Sequence, residues 1–377
     1  MDMQNTKIDI LRQANDLLLK GEPEEARKLL DTINKTSDMN GTVAFFCGNT
    51  YLQEKAYSKA HACYVEALKD GLAHEQLFLN LGAAKEQLND PVGAEAMYRQ
   101  AAELNPSKAD ALNRIISLRL SLGNVEGAEQ VMDELMSRNP ELLDGFHHKA
   151  GVLLGTDRAK EALKLLYGVA ERFSSQPLYV YDLCRALARL GHSQDALEFL
   201  LTKEDVFSNV FYRQLFIKQK ASLLTDLGQA DDAQPLWNEL FSNYADRQAG
   251  FALIAAALRH EDMEGVLRLT DEILADGAKD RIYYLCLYVK VLALKAQKSE
   301  MEEDALQKAA VEFEALDPNG IGPSLRMLRA IVLAMAGKKE HAAADFESVE
   351  SLLRAAEDVD GKDDILARFS SLRDDVL

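Results

Sequence analysis

A small residue recurs at a fixed interval through the first half of this chain. Ala26, Ala60, Ala94, Ala128, Ala162 and Ala196 stand 34 residues apart, five intervals in succession. Twelve residues before each, the positions read Ala14, Gly48, Gly82, Ile116, Ala150 and Cys184, small at five of the six. Four residues after each comes a bulkier side chain: Leu30, Tyr64, Tyr98, Met132, Leu166 and Leu200. Pro106 and Pro140 keep the same 34-residue interval. A period of this length belongs to a supersecondary unit that cannot bury its apolar face alone, so neighbouring copies must stack.

Residues 76–106 show what one unit contains. Gly82 and Ala94 are small, so two helices can approach closely there, and a larger side chain would overpack the contact by roughly 1–3 kcal/mol. Asp90-Pro91 is a helix start, an acceptor for exposed N–H groups followed by a residue with preset φ. Asn105-Pro106 is a helix end, because the residue before proline is driven from the α region. Ser107 with Asp110, and Thr6 with Asp9, have capping-box spacing. Gly21, Gly123, Gly191, Gly228 and Gly337 mark turns where a left-handed residue ends a helix.

Phe78, Leu81, Gly82, Ala94, Tyr98, Ala101 and Pro106 together resemble the tetratricopeptide repeat, a helix–turn–helix unit of about 34 residues. Phe78 stands where that family usually has Trp, Tyr98 where it has Phe, and Lys85 where it has Tyr. The resemblance implies an all-α fold, a right-handed superhelical α-solenoid with first helices lining its concave side. About ten units are expected, plus a C-terminal capping helix.

Six regular repeats account for residues 1–202. After them the ruler loosens, to Ala233, Val266, Leu306 and Ala342 at intervals of 37, 33, 40 and 36. Irregular units are expected over 203–356, at 213–245, 247–276, 280–317 and 323–356. The extra residues gather near 203–212 and 275–281 and in a lengthened helix around 280–297. Residues 357–377 read as an acidic link and a cap carrying Ile365, Leu366, Phe369 and Leu372, the whole forming one continuous solenoid. Trp237, the only tryptophan, falls at a bulky second-helix position and is expected to pack in the core.

Forty-three Lys and Arg against 61 Asp and Glu leave a formal charge of −18. A phosphate backbone needs cationic neutralisation, so nucleic acid is not an expected partner. Cys47, Cys63, Cys184 and Cys286 lack metal or redox spacing and read as small hydrophobes in a reducing compartment. No leader pattern is evident at the N-terminus and the longest apolar stretches are too short or interrupted to cross a bilayer. The expectation is a cytoplasmic protein without membrane insertion, its oligomeric state open.

No GxGxxG, Walker, HExxH or Gly-x-Ser-x-Gly pattern occurs, so no catalytic residue, metal or cofactor is expected. His147 and His148 are adjacent, and adjacent helical side chains diverge by about 100°, which does not suit one metal. The resemblance implies a binding groove instead. Asn49, Asn80 and Arg114 look like three of the five residues of the carboxylate clamp in chaperone-binding co-chaperones, while Phe45 and Asp110 stand where its lysines would be. Asn side chains can also bond the backbone of any extended peptide. Phe45, Asn49, Leu79, Asn80 and Arg114 are therefore the expected peptide groove. A second concave patch is expected from Tyr181, Arg185, Arg189, Lys218, Phe251 and Arg259, near His147, His148 and Gln219, with Asp182 and Asp226 as possible counter-charges. The resulting expectation is a non-catalytic adaptor for a protein or peptide segment. A sensor of short signalling peptides and a subunit of an enzyme or secretion assembly are the other classes left open.

Overall fold

The computed structural model describes residues 2–33, 40–355 and 362–376, so the acidic stretch 357–360 lies outside the described residues. Those residues hold 22 α-helices and no strand, an all-α solenoid of nine helix pairs and four single helices, the last of them a closing helix. The chain divides into two compact units, 1–192 and 193–377.

In the first unit Asp2–Leu19 is followed by Pro23–Leu30, Asn40–Gln53 by Tyr57–Lys69, and Glu75–Gln87 by Pro91–Leu104. Asp110–Ser121 with Val125–Arg138 and Asp144–Gly155 with Ala159–Tyr167 continue the series, and the one-turn Ala170–Phe173 and then Pro177–Arg189 end the unit. The ruler residues Ala26, Ala60, Ala94, Ala128 and Ala162 are all fully buried. What sits over Gly48 and Gly82 is the ring four residues beyond the ruler. A Cβ on Gly48 would lie 2.4 Å from Tyr64 Cε1, and one on Gly82 would lie 2.5 Å from Tyr98 Cε1. The glycines thus make room for the two tyrosines, rather than for the ruler alanine itself. Where the companion position carries Ala14 or Ala150, its partner is the narrower Leu30 or Leu166.

The inter-helix turns repeat as strictly as the core. Gly21, Gly123 and Gly191 have φ of 80°, 72° and 83°, and Lys55, Asn89 and Asp157, at the intervening 34-residue steps, have φ of 59°, 63° and 61°. The left-handed conformation belongs to the repeat, whatever residue occupies it. A β-carbon is disfavoured there, so Lys55→Gly is expected to stabilise the chain by about 0.5–1 kcal/mol. The check is a urea titration against the wild type, with Glu66→Gly, inside the helix Tyr57–Lys69, losing stability.

Asp90 caps its helix as expected, Oδ1 accepting from Gly93 N at 2.9 Å, and Asn124 repeats the cap 34 residues on, to Gly127 N. Ser107 does not cap: the next helix starts at Asp110 behind Ala109, and the Ser107 hydroxyl donates to Asn105 Oδ1 at 3.0 Å. Proline 106 ends one helix, and three residues of turn separate it from the next start. The first helix already runs from Asp2, so Thr6 lies within it, its side chain outside the described residues.

The second unit opens with Ser193–Thr202 and a 3-10 turn, Glu204–Phe207, whose Phe207 is fully buried. Four pairs follow: Val210–Asp226 with Ala230–Tyr244, Arg247–Arg259 with Met263–Ala275, Arg281–Ala296 with Glu302–Glu314, and Pro323–Met335 with Lys339–Ala355. The ruler holds, since Ala233, Val266 and Ala342 are buried to 1% exposure or less. Trp237 is half-buried beside Leu253 and Ile254, its Nε1 donating to Thr225 Oγ1 at 3.2 Å. The closing helix, Lys362–Val376, is held by Phe369, buried edge-on against Phe346 at 5.8 Å. Ile365 and Leu372 face solvent.

Candidate functional site

Side chains one repeat apart meet across the first unit. Tyr64 Oη donates to Asn49 Oδ1 at 2.9 Å, and Asn80 Nδ2 donates to the same oxygen at 2.8 Å. Gln76 Nε2 then donates to Asn80 Oδ1 at 2.8 Å. Burial pushes the Tyr64 hydroxyl far above its usual range, so it stays a donor and fixes the direction of the run. Asn49 commits its oxygen inward, which leaves its NH2 as the group it can offer outward.

Two adjoining hollows lie along this run. One, of about 530 Å³, is lined by Leu52, Gln76, Leu79, Asn80, Ala83, Asp110, Asn113, Arg114 and Ser117. The other, of about 310 Å³, is lined by Asn15, Leu18, Leu19, Asn49, Leu52, Gln53 and Asn80. They share Leu52 and Asn80, so together they form one cleft. Every lining residue comes from the first helix of a pair. Its floor is amide and its wall is leucine at the first two repeats, and it becomes charged at the fourth.

Four of the five expected groove residues line the cleft: Asn49, Leu79, Asn80 and Arg114. Phe45 does not. It is buried to 8% exposure, stacked edge-on to His74 at 4.7 Å, because a phenyl ring gains more from that contact than from a wet groove. Leu52, Gln76, Asn113 and Ser117 were not singled out from the sequence. Their 34-residue register with Leu18, Asp110, Leu79 and Ala83 was the available signal.

Arg114 is exposed and forms no ion pair among the described residues. Its neighbours differ: Arg99 reaches Glu134, and Arg119 grips Glu95. Asp110 is also exposed, in the first turn of its helix, where the backbone dipole favours an anion.

The second expected patch is divided between the two units. In the first, Arg185 lies 5.4 Å from the Tyr181 ring centroid and 3.5 Å from Asp182, and Arg189 is exposed. In the second, Lys218 pairs with Asp246 at 2.8 Å, Phe251 packs against the core, and Arg259 is exposed.

Asp182 is completely buried and receives His147 Nδ1 at 2.6 Å, from the preceding repeat. An ionised carboxylate can only accept, so Nδ1 carries the proton. The Asp182 hydrogen bond raises the His147 pKa above 6.5 despite burial, while burial and the His147 charge lower that of His148. A raised folded-state pKa adds stability below the unfolded value and loses it as pH rises through the folded one. The stability difference between wild type and His147→Gln is therefore expected to shrink as pH rises from about 6 to about 9. Urea midpoints at each pH check this, and a difference that stays flat or grows would contradict it.

Cys184 and Cys286 are buried, which pushes both thiols up to about 12, and Cys47 is pushed up to about 11. Such thiols are poor nucleophiles near neutrality. Among the described residues no group of His, Cys, Asp and Glu could hold a metal ion, and no helix is long and apolar enough to cross a membrane.

Residues 86–144 match the sequence family described as the tetratricopeptide repeat. No protein of curated function matches the chain in sequence. Similar solved structures include a tetratricopeptide-repeat protein from Parabacteroides merdae, 14% identical over 66% of this chain and 98% of that one, with a TM-score of 0.49. The C-terminal part of such a protein from Cytophaga hutchinsonii is 14% identical over 72% of this chain and 98% of that one, TM-score 0.43. A chain from the structure of Naa15/Naa10 bound to HypK-THB is 13% identical over 93% of this chain and 64% of that one, TM-score 0.38.

Proposed function

We propose that this tetratricopeptide-repeat protein is a non-catalytic scaffold that holds an extended segment of a partner protein in the cleft of its first unit. The observation that carries the proposal is the directed run Tyr64–Asn49–Asn80–Gln76 along the cleft floor. An extended backbone presents a carbonyl and an N–H at every residue, and an amide side chain can satisfy either. Because the run fixes which atom each amide turns outward, the floor is organised before a ligand arrives, which reduces the ordering cost of binding. The leucines beside it give apolar side chains a place to settle, and Arg114 is a cation left for an acceptor. The mode is that of a segment recognised by main-chain bonds, with selectivity from side-chain pockets.

The test uses peptides enriched from a random library on the wild-type chain. Asn80→Ala with Arg114→Ala removes one amide contact and one charged one, and is expected to weaken these peptides by about ten- to a hundredfold. Circular dichroism of the variant is expected to match the wild type. Affinity that survives both substitutions would move binding away from the cleft.

A further inference from the structure

The repeat register extends the cleft face beyond the hollows. Leu79 and Asn113 line the cleft, and 34-residue steps lead from them to His147 and Tyr181. Asn80 and Arg114 lead likewise to His148 and Asp182, and Asn15 and Asn49, through Ala83, Ser117 and Gly151, to Arg185. Along this face the first two repeats offer leucine and amide, the fourth offers Arg114, and the fifth and sixth offer His147 and Arg185. All of this lies within the first unit.

Asp182 organises the far end. Buried completely, it meets His147 at 2.6 Å through Oδ2 and Arg185 at 3.5 Å through Oδ1. One carboxylate thus orients two basic groups from successive repeats, and both side chains keep about a third of their surface open, 30% and 34%. The fit to Arg185 is loose for a bidentate fork, which leaves guanidinium donors for another acceptor. Asp110 and Asp144 are each the first residue of their helices, placed by the helix dipole, and Asp144 already accepts from Asn113 Nδ2 at 3.0 Å.

We infer that the segment held by this face is acidic at the end that lies on the fifth and sixth repeats, with its apolar residues toward the first and second. The inference rests on the scaffold reading above and adds the composition and direction of the partner segment. In a chain of net charge −18, a run of cations on one face is selective by contrast, since the remaining surface repels an acidic segment. The face spans five helix spacings of about 10 Å, which roughly fifteen extended residues at about 3.3 Å each would cover.

His147 makes the contact responsive to pH. The charged and titratable groups facing it are Asp182 and Arg185 from the next repeat and Asp144 and His148 on its own helix; Lys149 on that helix is engaged with Asp133 of the preceding repeat. Losing the Nε2 proton leaves the His147 Nδ1–H bond to Asp182 in place but removes the charge of the ring, so the positive charge at this end falls as pH rises.

The test uses two labelled peptides of roughly fifteen residues, both with leucines in the first third, one ending in glutamates and the other in lysines. Anisotropy titrations at pH about 6 and about 8 are expected to show the glutamate peptide binding at least about tenfold tighter than the lysine one. Its affinity is expected to fall several-fold toward the higher pH. His147→Gln is expected to flatten that dependence, and Arg185→Met to weaken the glutamate peptide at both pH values. A lysine peptide that binds equally or better, a pH dependence unchanged by His147→Gln, or no binding of either peptide would overturn the inference. The scaffold reading fails separately, if library-selected peptides ignore Asn80→Ala with Arg114→Ala.

Discussion

Asp345→Ala is expected to cost the last helix pair about 3–5 kcal/mol, because it leaves a guanidinium buried without its counter-charge. Arg329 and Asp345 are 6% and 3% exposed, and Arg329 Nη1 donates to Asp345 Oδ2. Arg329 Nε also donates to the Phe313 carbonyl at 2.9 Å, which ties this pair of helices to the one before. In a repeat array each unit leans mainly on its neighbours, so the loss should be local. Amide exchange is expected to quicken in 323–355 and in the closing helix while the first unit keeps its protection. Arg329→Met with Asp345→Leu removes both charges and is expected to recover most of the stability, less the hydrogen bond to Phe313. A uniform loss across both units would show that the ion pair does not act locally.

Gly82→Ile is expected to destabilise the third repeat at or beyond the upper end of the roughly 1–3 kcal/mol typical of overpacking. Even a single Cβ there would stand 2.5 Å from the Tyr98 ring. Tyr98 has no room to yield: it is fully buried, and its hydroxyl donates to Glu86 Oε2 at 2.9 Å. The chain contains its own remedy one repeat later. Ile116 faces Met132 at the same two positions, both fully buried. Gly82→Ile with Tyr98→Met is therefore expected to recover much of the loss, although Tyr98→Met alone leaves a gap over the glycine. Denaturant midpoints for the four proteins give the coupling, and additive effects would contradict the pairing.

The helix pairs were legible because one number, 34, governs both the core and the turns. Ala60 and Ala94 could be assigned to the buried face from spacing alone, whereas the tyrosine rings over Gly48 and Gly82 could not. Lys55 and Asp157 could not be assigned to left-handed turns, since only the glycines announce that conformation by type. Ser107 looked like a cap because the local pattern fits, yet the chain turns for two more residues before the helix begins. Phe45 occupies a cleft register, but an aromatic ring follows the nearest apolar surface, and His74 supplies it from outside the motif. The His147–Asp182 and Arg329–Asp345 pairs join residues 35 and 16 apart, and nothing in the local sequence of either partner points to the other. The cleft itself was half legible. Asn49 and Asn80 stood out by type, whereas Leu52 and Ser117 matter only because neighbouring helices place them beside those amides.

Site-directed photo-crosslinking tests most directly whether the first-helix cleft is where a segment binds. Benzoylphenylalanine would replace Ser117, which is exposed within the cleft, or Val92, which is exposed on a second helix of the same unit. Each protein would be irradiated with a library-selected labelled peptide. The expected result is a labelled adduct from position 117 that excess unlabelled peptide removes, and none from position 92. An adduct from position 92 with none from position 117 would contradict the account and place the binding surface on the second helices.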